Sequence, residues 1–303
     1  MLLQTKHIGQ THAVSGDKTV IKCKSCGFAH VHPLPTQAEL DAFYLENFYQ
    51  EVKTSYFADY ERDQDWWVLN YNWLLDDMAA LSGKTSLKGL KLLDIGSGPG
   101  LFLKAAADKG VDVLGVEPSK EAFEYSIKKH KVNVENITVE NLDPKIGEFD
   151  IIHASLVLEH ILDPLKFISK SAKLLKKGGL ICLVVPNDFN PVQEINVKMG
   201  KKQYWVSPFE HLNYFNRKSL SDLLKKAGME VVHDTVTFPI DLFLLMDRNY
   251  LDQPELGKEC HFMRKSFEFN LESTRSDDFR KKLYSTFAKM GVGRELVIIA
   301  KKK

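Results

Sequence analysis

The feature that constrains this chain most is a glycine-rich turn between a predicted buried strand and a predicted helix. Residues 92–95 are three apolar residues and one aspartate, and Gly96, Gly98 and Gly100 follow at alternate positions. Glycine has no Cβ and tolerates positive φ, so such a turn can bring its backbone close to a ligand. Leu101 occupies the sixth position of the dinucleotide-binding fingerprint, where that fingerprint requires glycine. This difference disfavours a nucleotide-dependent dehydrogenase.

Two acidic residues near the turn favour a ligand-binding role over a purely structural one. Asp94 precedes the first glycine by two positions, where a carboxylate can attract the ammonium of an amino acid. Glu117 follows the next predicted strand, and a carboxylate at that strand end can accept hydrogen bonds from both hydroxyls of a ribose. Both residues fall on the first two strands of an alternating pattern, which favours a cofactor site there.

The alternation of strand-like and helix-like segments predicts the architecture. Residues 89–303 alternate in this way, which predicts an α/β fold with a doubly wound sheet. A third strand is predicted near residues 136–141, and a mostly helical insertion at about residues 239–293. Upstream, residues 1–36 form a cysteine-containing segment and residues 37–88 an aromatic helical lid. We therefore predict three regions, of which the third carries the cofactor site.

Four motifs, in order and spacing over about residues 89–235, make the chain similar to the class I methyltransferase superfamily. They are residues 96–100, Glu117, and residues 149–160 and 174–187. This resemblance implies a Rossmann-like sheet of seven strands and S-adenosyl-L-methionine as the cofactor. It also implies that the turn lines the methionine part, that Asn141 and Leu142 flank the adenine, and that Ala154 and Ser155 form the other wall. The predicted cofactor-binding residues are Asp94, Gly96, Ser97, Gly98, Gly100, Glu117, Asn141, Leu142, Ala154 and Ser155.

Cys23 and Cys26 form a knuckle that can supply half of a tetrahedral zinc site. His7 and His12 have the H-x4-H spacing of Cys2His2 sites and are predicted as the other half. His30 competes for this role together with the histidine two residues further on. However, a strand leaving the knuckle would carry residue 30 about 10 Å away from Cys26. We predict a structural zinc ion, and the alternative is an unligated cysteine pair.

A cysteine knuckle followed by an aromatic helical segment and the cofactor fold resembles methyltransferases with an N-terminal zinc ribbon. Several of those enzymes act on nucleotide-linked sugars or other glycan precursors, and they usually carry two CxxC pairs where this chain has one. This resemblance implies a sugar or glycan-precursor acceptor. The alternatives are a quinone or secondary-metabolite methyltransferase and a non-catalytic adaptor, which cofactor binding would distinguish.

Histidines are the predicted catalytic groups, because methyl transfer to a protonated acceptor often requires a base. Glu210 and His211 lie in a segment that resembles the loop of zinc-ribbon sugar methyltransferases whose histidine acts as the base. His160 follows the fourth strand and is the second candidate, with a cofactor-wall role as its alternative. Ubiquinone-type O-methyltransferases have a similar Glu-His pair and a metal-binding glutamate three residues before it. Leu156 occupies that position here, so we predict no catalytic metal.

The composition of the chain limits the kinds of binding partner that we expect. The 41 basic and 40 acidic residues give a formal net charge of +1, which does not favour nucleic acid or an acidic membrane surface. No apolar stretch approaches the roughly 20 residues that cross a bilayer, and the first residues lack the apolar core of a signal peptide. We expect a cytoplasmic protein with a small-molecule acceptor.

Overall fold

The computed structural model describes residues 6–16, 18–36, 39–40, 56–143, 146–208 and 210–303. The first elements are three antiparallel strands, β1 (Gly9–Ser15), β2 (Lys18–Cys23) and β3 (Ala29–His32). A fourth strand of the same small sheet, β9 (Asn213–Tyr214), comes from far along the chain and pairs with β3. The cysteine-containing segment is therefore joined by backbone pairing to a loop of the third predicted region.

The main sheet has seven strands, which confirms the predicted fold class. In chain order they are β4 (Lys91–Ile95), β5 (Asp112–Val116), β6 (Val134–Glu135), β7 (Phe149–Ser155), β8 (Leu175–Pro186), β10 (Met229–Val236) and β11 (Glu295–Lys302). Their spatial order is β10-β11-β8-β7-β4-β5-β6. The five strands from β8 to β6 run parallel, and β11 and β10 are antiparallel. The carboxyl ends of the parallel strands meet at one edge, where ligands of open α/β sheets bind.

Helices cover both faces of this sheet. They are α1 (Tyr56–Arg62), α2 (Gln64–Leu81), α3 (Leu101–Asp108), α4 (Lys120–Tyr125), α5 (Pro164–Leu174), α6 (Pro191–Lys198), α7 (Arg217–Lys226), α8 (Leu242–Leu245), α9 (Pro254–Ser273) and α10 (Asp277–Lys289). Side chains alternate along β4, so Leu92 packs with α2 and α3, whereas Leu93 packs with α5 and α7. Within the described residues, no helix is long and apolar enough to cross a membrane.

One predicted strand is misplaced. The third parallel strand is β6, and residues 136–141, where we predicted it, form a turn followed by a single 3-10 turn. Asn136 explains the difference, because its side-chain amide donates hydrogen bonds to the backbone carbonyls of Glu117 and Pro118 at 2.8 and 3.0 Å. A side chain that bonds to the backbone in this way favours a turn over a sheet ladder.

Candidate active site

The glycine-rich turn joins β4 to α3 at the carboxyl edge of the sheet. Gly96, Gly98 and Gly100 have φ angles of 70°, 51° and 85°, in the left-handed region that favours glycine. A Cβ atom on Gly96 would lie 2.5 Å from a methyl carbon of Val157. A Cβ atom on Gly100 would lie 2.7 Å from Cβ of Ser126. The backbone of this turn therefore requires glycine, for conformation at all three positions and for space at the first and the third.

Glu117 directly follows β5, and its side chain contacts the turn. Its two carboxylate oxygens accept hydrogen bonds from the backbone amides of Gly98 and Ser119, each at 2.8 Å. Burial raises the pKa of Glu117 to about 7, although the two amides act in the opposite direction. The two features that predicted a cofactor site from the sequence thus lie in direct contact.

Asp94 has a partner inside the fold. It lies in β4 and is 3% exposed. Its Oδ1 lies 2.7 Å from Nδ1 of His153, which is its register partner on β7. The imidazole in turn stacks on Phe102, with ring centroids 3.9 Å apart. Sequence reasoning missed this histidine, and the predicted contact between Asp94 and an ammonium stays a prediction.

The other predicted cofactor residues surround the same edge. Ala154 pairs with the last residue of β4, and the partly buried Ser155 ends β7. Leu142 is buried, whereas Asn141 is exposed. The Ser97 hydroxyl is buried and has no hydrogen-bond partner among the described residues. An unpaired hydroxyl inside a glycine turn fits a ligand with polar groups, because burying such a group unpaired is costly.

A second group of polar side chains lies at the same edge, after β7 and before β9. The ring centroids of His160 and His211 are 5.3 Å apart. One potential ligand atom from each histidine and one from Glu159 all lie within 4.8 Å of one another, so these three residues could also hold a metal ion. His160 Nδ1 donates a hydrogen bond to the backbone carbonyl of Glu210 at 2.5 Å. The structure therefore places both predicted histidines together, with the main chain of Glu210 between them.

Glu159 is the buried carboxylate of this group, although from the sequence we predicted a catalytic role only for its neighbour His160. It is 1% exposed, and neither of its oxygens has a hydrogen-bond partner among the described residues. Its Oε1 lies 3.8 Å from Nε2 of His160. Burial raises the pKa of Glu159 to about 7, against the opposing influence of His211. Glu159 is therefore a buried carboxyl group with an oxygen within 4.8 Å of a ring nitrogen of each histidine.

Asp188 is a further acidic residue of the site that sequence reasoning missed. It lies two residues beyond β8 and is 4% exposed. Its Oδ2 lies 3.8 Å from Nδ1 of His211, and its Oδ1 lies 3.2 Å from Nη1 of Arg294. Burial alone would lower the pKa of His211, but Asp188, Glu159 and Glu210 together raise it above its ordinary value. The position directly after a parallel strand was the signal that could have identified Asp188.

Aromatic side chains of α1 and α2 cover the turn. The backbone amide of Leu101 donates a hydrogen bond to the Tyr60 hydroxyl at 3.2 Å. Trp67 lies 6.4 Å from Tyr60 and 5.8 Å from Tyr71, measured between ring centroids, and Tyr71 meets Phe102 edge-on. Residues 41–55 of the predicted aromatic lid lie outside the described residues. The described part of this segment thus packs on the first turn of α3.

A separate group of metal-binding side chains lies in the small sheet. Nδ1 of His7 lies 3.4 Å from Sγ of Cys26, 3.7 Å from Sγ of Cys23 and 3.0 Å from Nε2 of His30. The four potential ligand atoms all lie within 4.8 Å of one another. Two thiolates and two imidazoles are a donor set typical of tetrahedral zinc, so the residues fit this ion.

His12 does not belong to this group, which corrects the predicted ligand set. Its ring packs on Phe189 instead, with centroids 4.0 Å apart. The reason is the hairpin between β2 and β3, which reverses the chain and pairs His30 with Ile21. A continuing strand would have carried His30 away from the thiols, whereas the returning strand brings it back beside them.

Backbone hydrogen bonds connect the small sheet to the second polar group. The amide of Val31 donates to the carbonyl of Leu212 at 2.9 Å, and the amide of Leu212 donates to the carbonyl of Glu159 at 2.8 Å. The side-chain amide of Asn213 donates to the carbonyl of Ile161 at 2.7 Å. The cysteine knuckle and the loops that carry the two histidines are therefore held by one continuous network.

Comparison with known proteins identifies the family. A family model described as a methyltransferase domain matches residues 69–234, more than half of the chain. The chain belongs to this methyltransferase domain family, and its fold is that of the class I S-adenosylmethionine-dependent enzymes.

Similar curated proteins are ubiquinone biosynthesis O-methyltransferases. One from Cereibacter sphaeroides (strain ATCC 17025 / ATH 2.4.3) is 30% identical over 162 residues, which cover 50% of this chain and 65% of that protein. One from Rhodopseudomonas palustris (strain TIE-1) is 36% identical over 106 residues, covering 33% of this chain and 42% of that protein. The matched part thus covers less than two thirds of these relatives' own length.

Solved structures agree in fold. The plantazolicin methyltransferase BpumL in complex with SAH has a TM-score of 0.55 at 15% identity, over 88% of this chain and 94% of that chain. The Burkholderia thailandensis 1,6-didemethyltoxoflavin-N1-methyltransferase has a TM-score of 0.53 at 14% identity, over 97% and 99% of the two chains. At these identities the likeness concerns the fold alone.

Proposed function

We propose that this protein transfers a methyl group from S-adenosyl-L-methionine to a hydroxyl oxygen of a small-molecule acceptor. When bound, the cofactor supplies an electrophilic methyl group on a sulfonium. The observation that carries the proposal is the arrangement at the carboxyl edge of the sheet. The glycine turn with Glu117 lies after β4 and β5, and two histidines with a buried carboxylate lie on the side of β7 and β8.

The cofactor would be held by the residues of the first group. Glu117 would exchange its bonds to backbone amides for bonds to the two ribose hydroxyls, and the Ser97 hydroxyl would gain a partner. The amides of the turn would face the amino-acid part. The remaining proposed contacts are Gly96, Gly98, Gly100, Asn141, Leu142, Ala154 and Ser155, with Asp94 behind them.

His211 is the proposed general base, ahead of His160. Its Nδ1 faces Asp188, which leaves Nε2 to accept the proton of the acceptor hydroxyl. Asp188 would act on the reaction through His211, as a positioning residue that favours the protonated imidazole. His160 is fixed by its bond to the Glu210 carbonyl, which supports a role in shaping the wall of the site.

A metal ion at Glu159, His160 and His211 is the competing mechanism at this position. We keep the proposal of base catalysis because Leu156, at the position of the additional metal-binding glutamate, has no ligand atom. Turnover that survives dialysis against a chelator supports the base. Loss of turnover on chelation, restored by a divalent cation, favours the metal.

The names of the similar proteins support one class of acceptor. The similar proteins are named for ubiquinone biosynthesis, which supports a ring hydroxyl on a quinone precursor or a related secondary metabolite. A nucleotide-linked sugar is the second candidate, and the cysteine–histidine group of the small sheet is the observation that favours it.

The decisive experiment offers the protein both acceptor classes with S-adenosyl-L-methionine. Catechol-type quinone precursors and nucleotide-sugars are incubated separately, and the mass gain of one methyl group is measured. We expect cofactor-dependent methylation of a catechol hydroxyl, and His211→Ala should lower its rate by about 10²–10⁴. Methylation of nucleotide-sugars alone would contradict the quinone proposal, and methylation of neither class would contradict both.

We also propose that His7, Cys23, Cys26 and His30 bind one structural zinc ion. All four positions of a tetrahedral site would be filled by the protein, which leaves none open for chemistry. The matched pair of variants is His30→Ala and His12→Ala. Elemental analysis should find one zinc per chain in the wild type and in His12→Ala, and much less in His30→Ala. Equal zinc content in both variants would contradict the ligand set.

We also propose a division of the chain into three functional regions. Residues 1–36 would serve as the zinc segment and residues 37–88 as an aromatic lid. Residues 89–303 would form the catalytic region, with the helical insertion at about 239–293 roofing the acceptor pocket. The packing of Tyr60 and Trp67 over the glycine turn supports the lid.

A further inference from the structure

Arg264 of α9 is an arginine of the insertion that makes no ion pair with any described residue. Its guanidinium lies 4.2 Å from the ring centroid of Trp66, and its Nη2 lies 2.7 Å from Nδ1 of His261. Its Nε is buried and has no hydrogen-bond partner in the part of the chain that the structure describes. The side chain is partly buried, so solvent reaches only part of it.

The surroundings contrast with those of the neighbouring cations. Lys265 pairs with Asp63 at 2.6 Å, and Arg62 pairs with Asp63 and with Asp59. The imidazole of His261 also uses Asp63, at 3.0 Å from Nε2. Asp63 is thus shared among several partners, and Arg264 reaches it only through His261.

A partly buried arginine without an ion pair indicates a site that an anion could occupy. Arginine carries five N–H donors in a planar fork that matches carboxylate and phosphate groups. Removing a charge from water without a paired opposite charge is unfavourable, and an unsatisfied buried donor adds to this cost. Burial accordingly lowers the pKa of Arg264. Glu295, the buried Glu268 and Asp63 act in the opposite direction, although none of them forms an ion pair with the guanidinium.

The contacts of Arg264 lead to the aromatic cover of the site. Trp66, on which it lies, contacts Trp67 of the aromatic cover, with centroids 4.5 Å apart. Glu295, the first residue of β11, acts electrostatically on both Arg264 and Glu159. Arg264 therefore lies beside the aromatic side chains that cover the glycine turn.

We infer that Arg264, supported by Trp66, is a subsite for an anionic group of the methyl acceptor. The inference rests on the proposed function, and it deepens it by giving the acceptor a carboxylate or a phosphate at the end away from the reacting hydroxyl. The guanidinium would bind the oxyanion through its free Nη hydrogens, and the indole ring would hold the guanidinium plane. An arginine fork accepts both oxyanions, so the experiment distinguishes them.

The test uses the full-length protein saturated with S-adenosylhomocysteine, with pyrophosphate and 3,4-dihydroxybenzoate as probes. Dissociation constants are measured for the wild type, Arg264→Met, Arg264→Lys and the control Arg248→Met, whose arginine pairs with Glu259 in the same insertion. We expect saturable binding of one probe to the wild type and to the control. Arg264→Met should weaken it about 10-fold or more, with a smaller loss for Arg264→Lys.

The identity of the probe that binds distinguishes a phosphate from a carboxylate acceptor. The subsite is overturned if Arg264→Met binds the probe as the wild type does, or if the wild type binds neither probe saturably. If Arg264→Met fails to fold, Arg264→Lys decides alone, because it keeps the charge and loses the planar fork. Binding of S-adenosylhomocysteine by the wild type is measured in parallel and separates the two kinds of failure. If the wild type does not bind S-adenosylhomocysteine, the proposed function is contradicted. If it does, the failure is confined to the subsite.

Discussion

The cofactor side and the acceptor side of the proposed site are built differently. On the cofactor side, the glycine turn and Glu117 lie within 22 residues of one another and on consecutive strands. On the acceptor side, Glu159, Asp188, His211 and Arg294 come from four separate segments, and the small sheet that supports them begins at Gly9. The proposed cofactor side thus depends on local backbone conformation, whereas the proposed acceptor side depends on contacts between distant segments.

The largest effect on cofactor binding is expected from a side chain introduced into the glycine turn. Gly98→Val places a branched side chain on a residue with φ of 51°, next to the carboxylate of Glu117. We expect no measurable binding of S-adenosyl-L-methionine by calorimetry. Gly83→Val is the matched control, because that residue has φ of 72° and open space around its Cβ position. Normal cofactor binding by Gly98→Val would show that the turn does not form the site.

This contrast also explains what could be predicted from the sequence. The glycine turn, Glu117 and the doubly wound sheet follow from spacing and alternation, which the chain expresses locally, and the family resemblance implies the seven strands. His30 was not predicted as the favoured ligand because its position depends on the register of a hairpin. Asp188 and Arg294 were missed because only the pairing of β8 with β11 brings residues 188 and 294 together. The turn at residues 136–141 was missed because a single asparagine bonds to the backbone of another loop.

A smaller effect, on turnover, is expected from a substitution on the acceptor side. Asp188→Asn keeps the shape of the side chain and removes the charge that raises the pKa of His211. We expect turnover to fall about 10-fold or more, because a carboxylate partner orients an imidazole and raises its basicity. The pKa of His211 should fall as well, so the acidic limb of the pH–rate profile should move to lower pH. Asp234→Asn, at a surface ion pair with Arg217, is the control. An unchanged profile in Asp188→Asn would remove this residue from the acceptor side.

The most direct measurement compares one variant from each side of the proposed site. The acceptor used is the one identified by the methylation experiment. Cofactor dissociation constants and single-turnover rates at saturating cofactor are determined for Glu117→Gln and His211→Ala. Glu117→Gln should weaken cofactor binding by about 1–3 kcal/mol, the range for hydrogen bonds to a charged group, with a nearly normal rate. His211→Ala should lower the rate by about 10²–10⁴ and leave cofactor affinity nearly unchanged. A near-normal rate in His211→Ala, or two variants that change the same quantity, would contradict the division of the site into a cofactor side and an acceptor side.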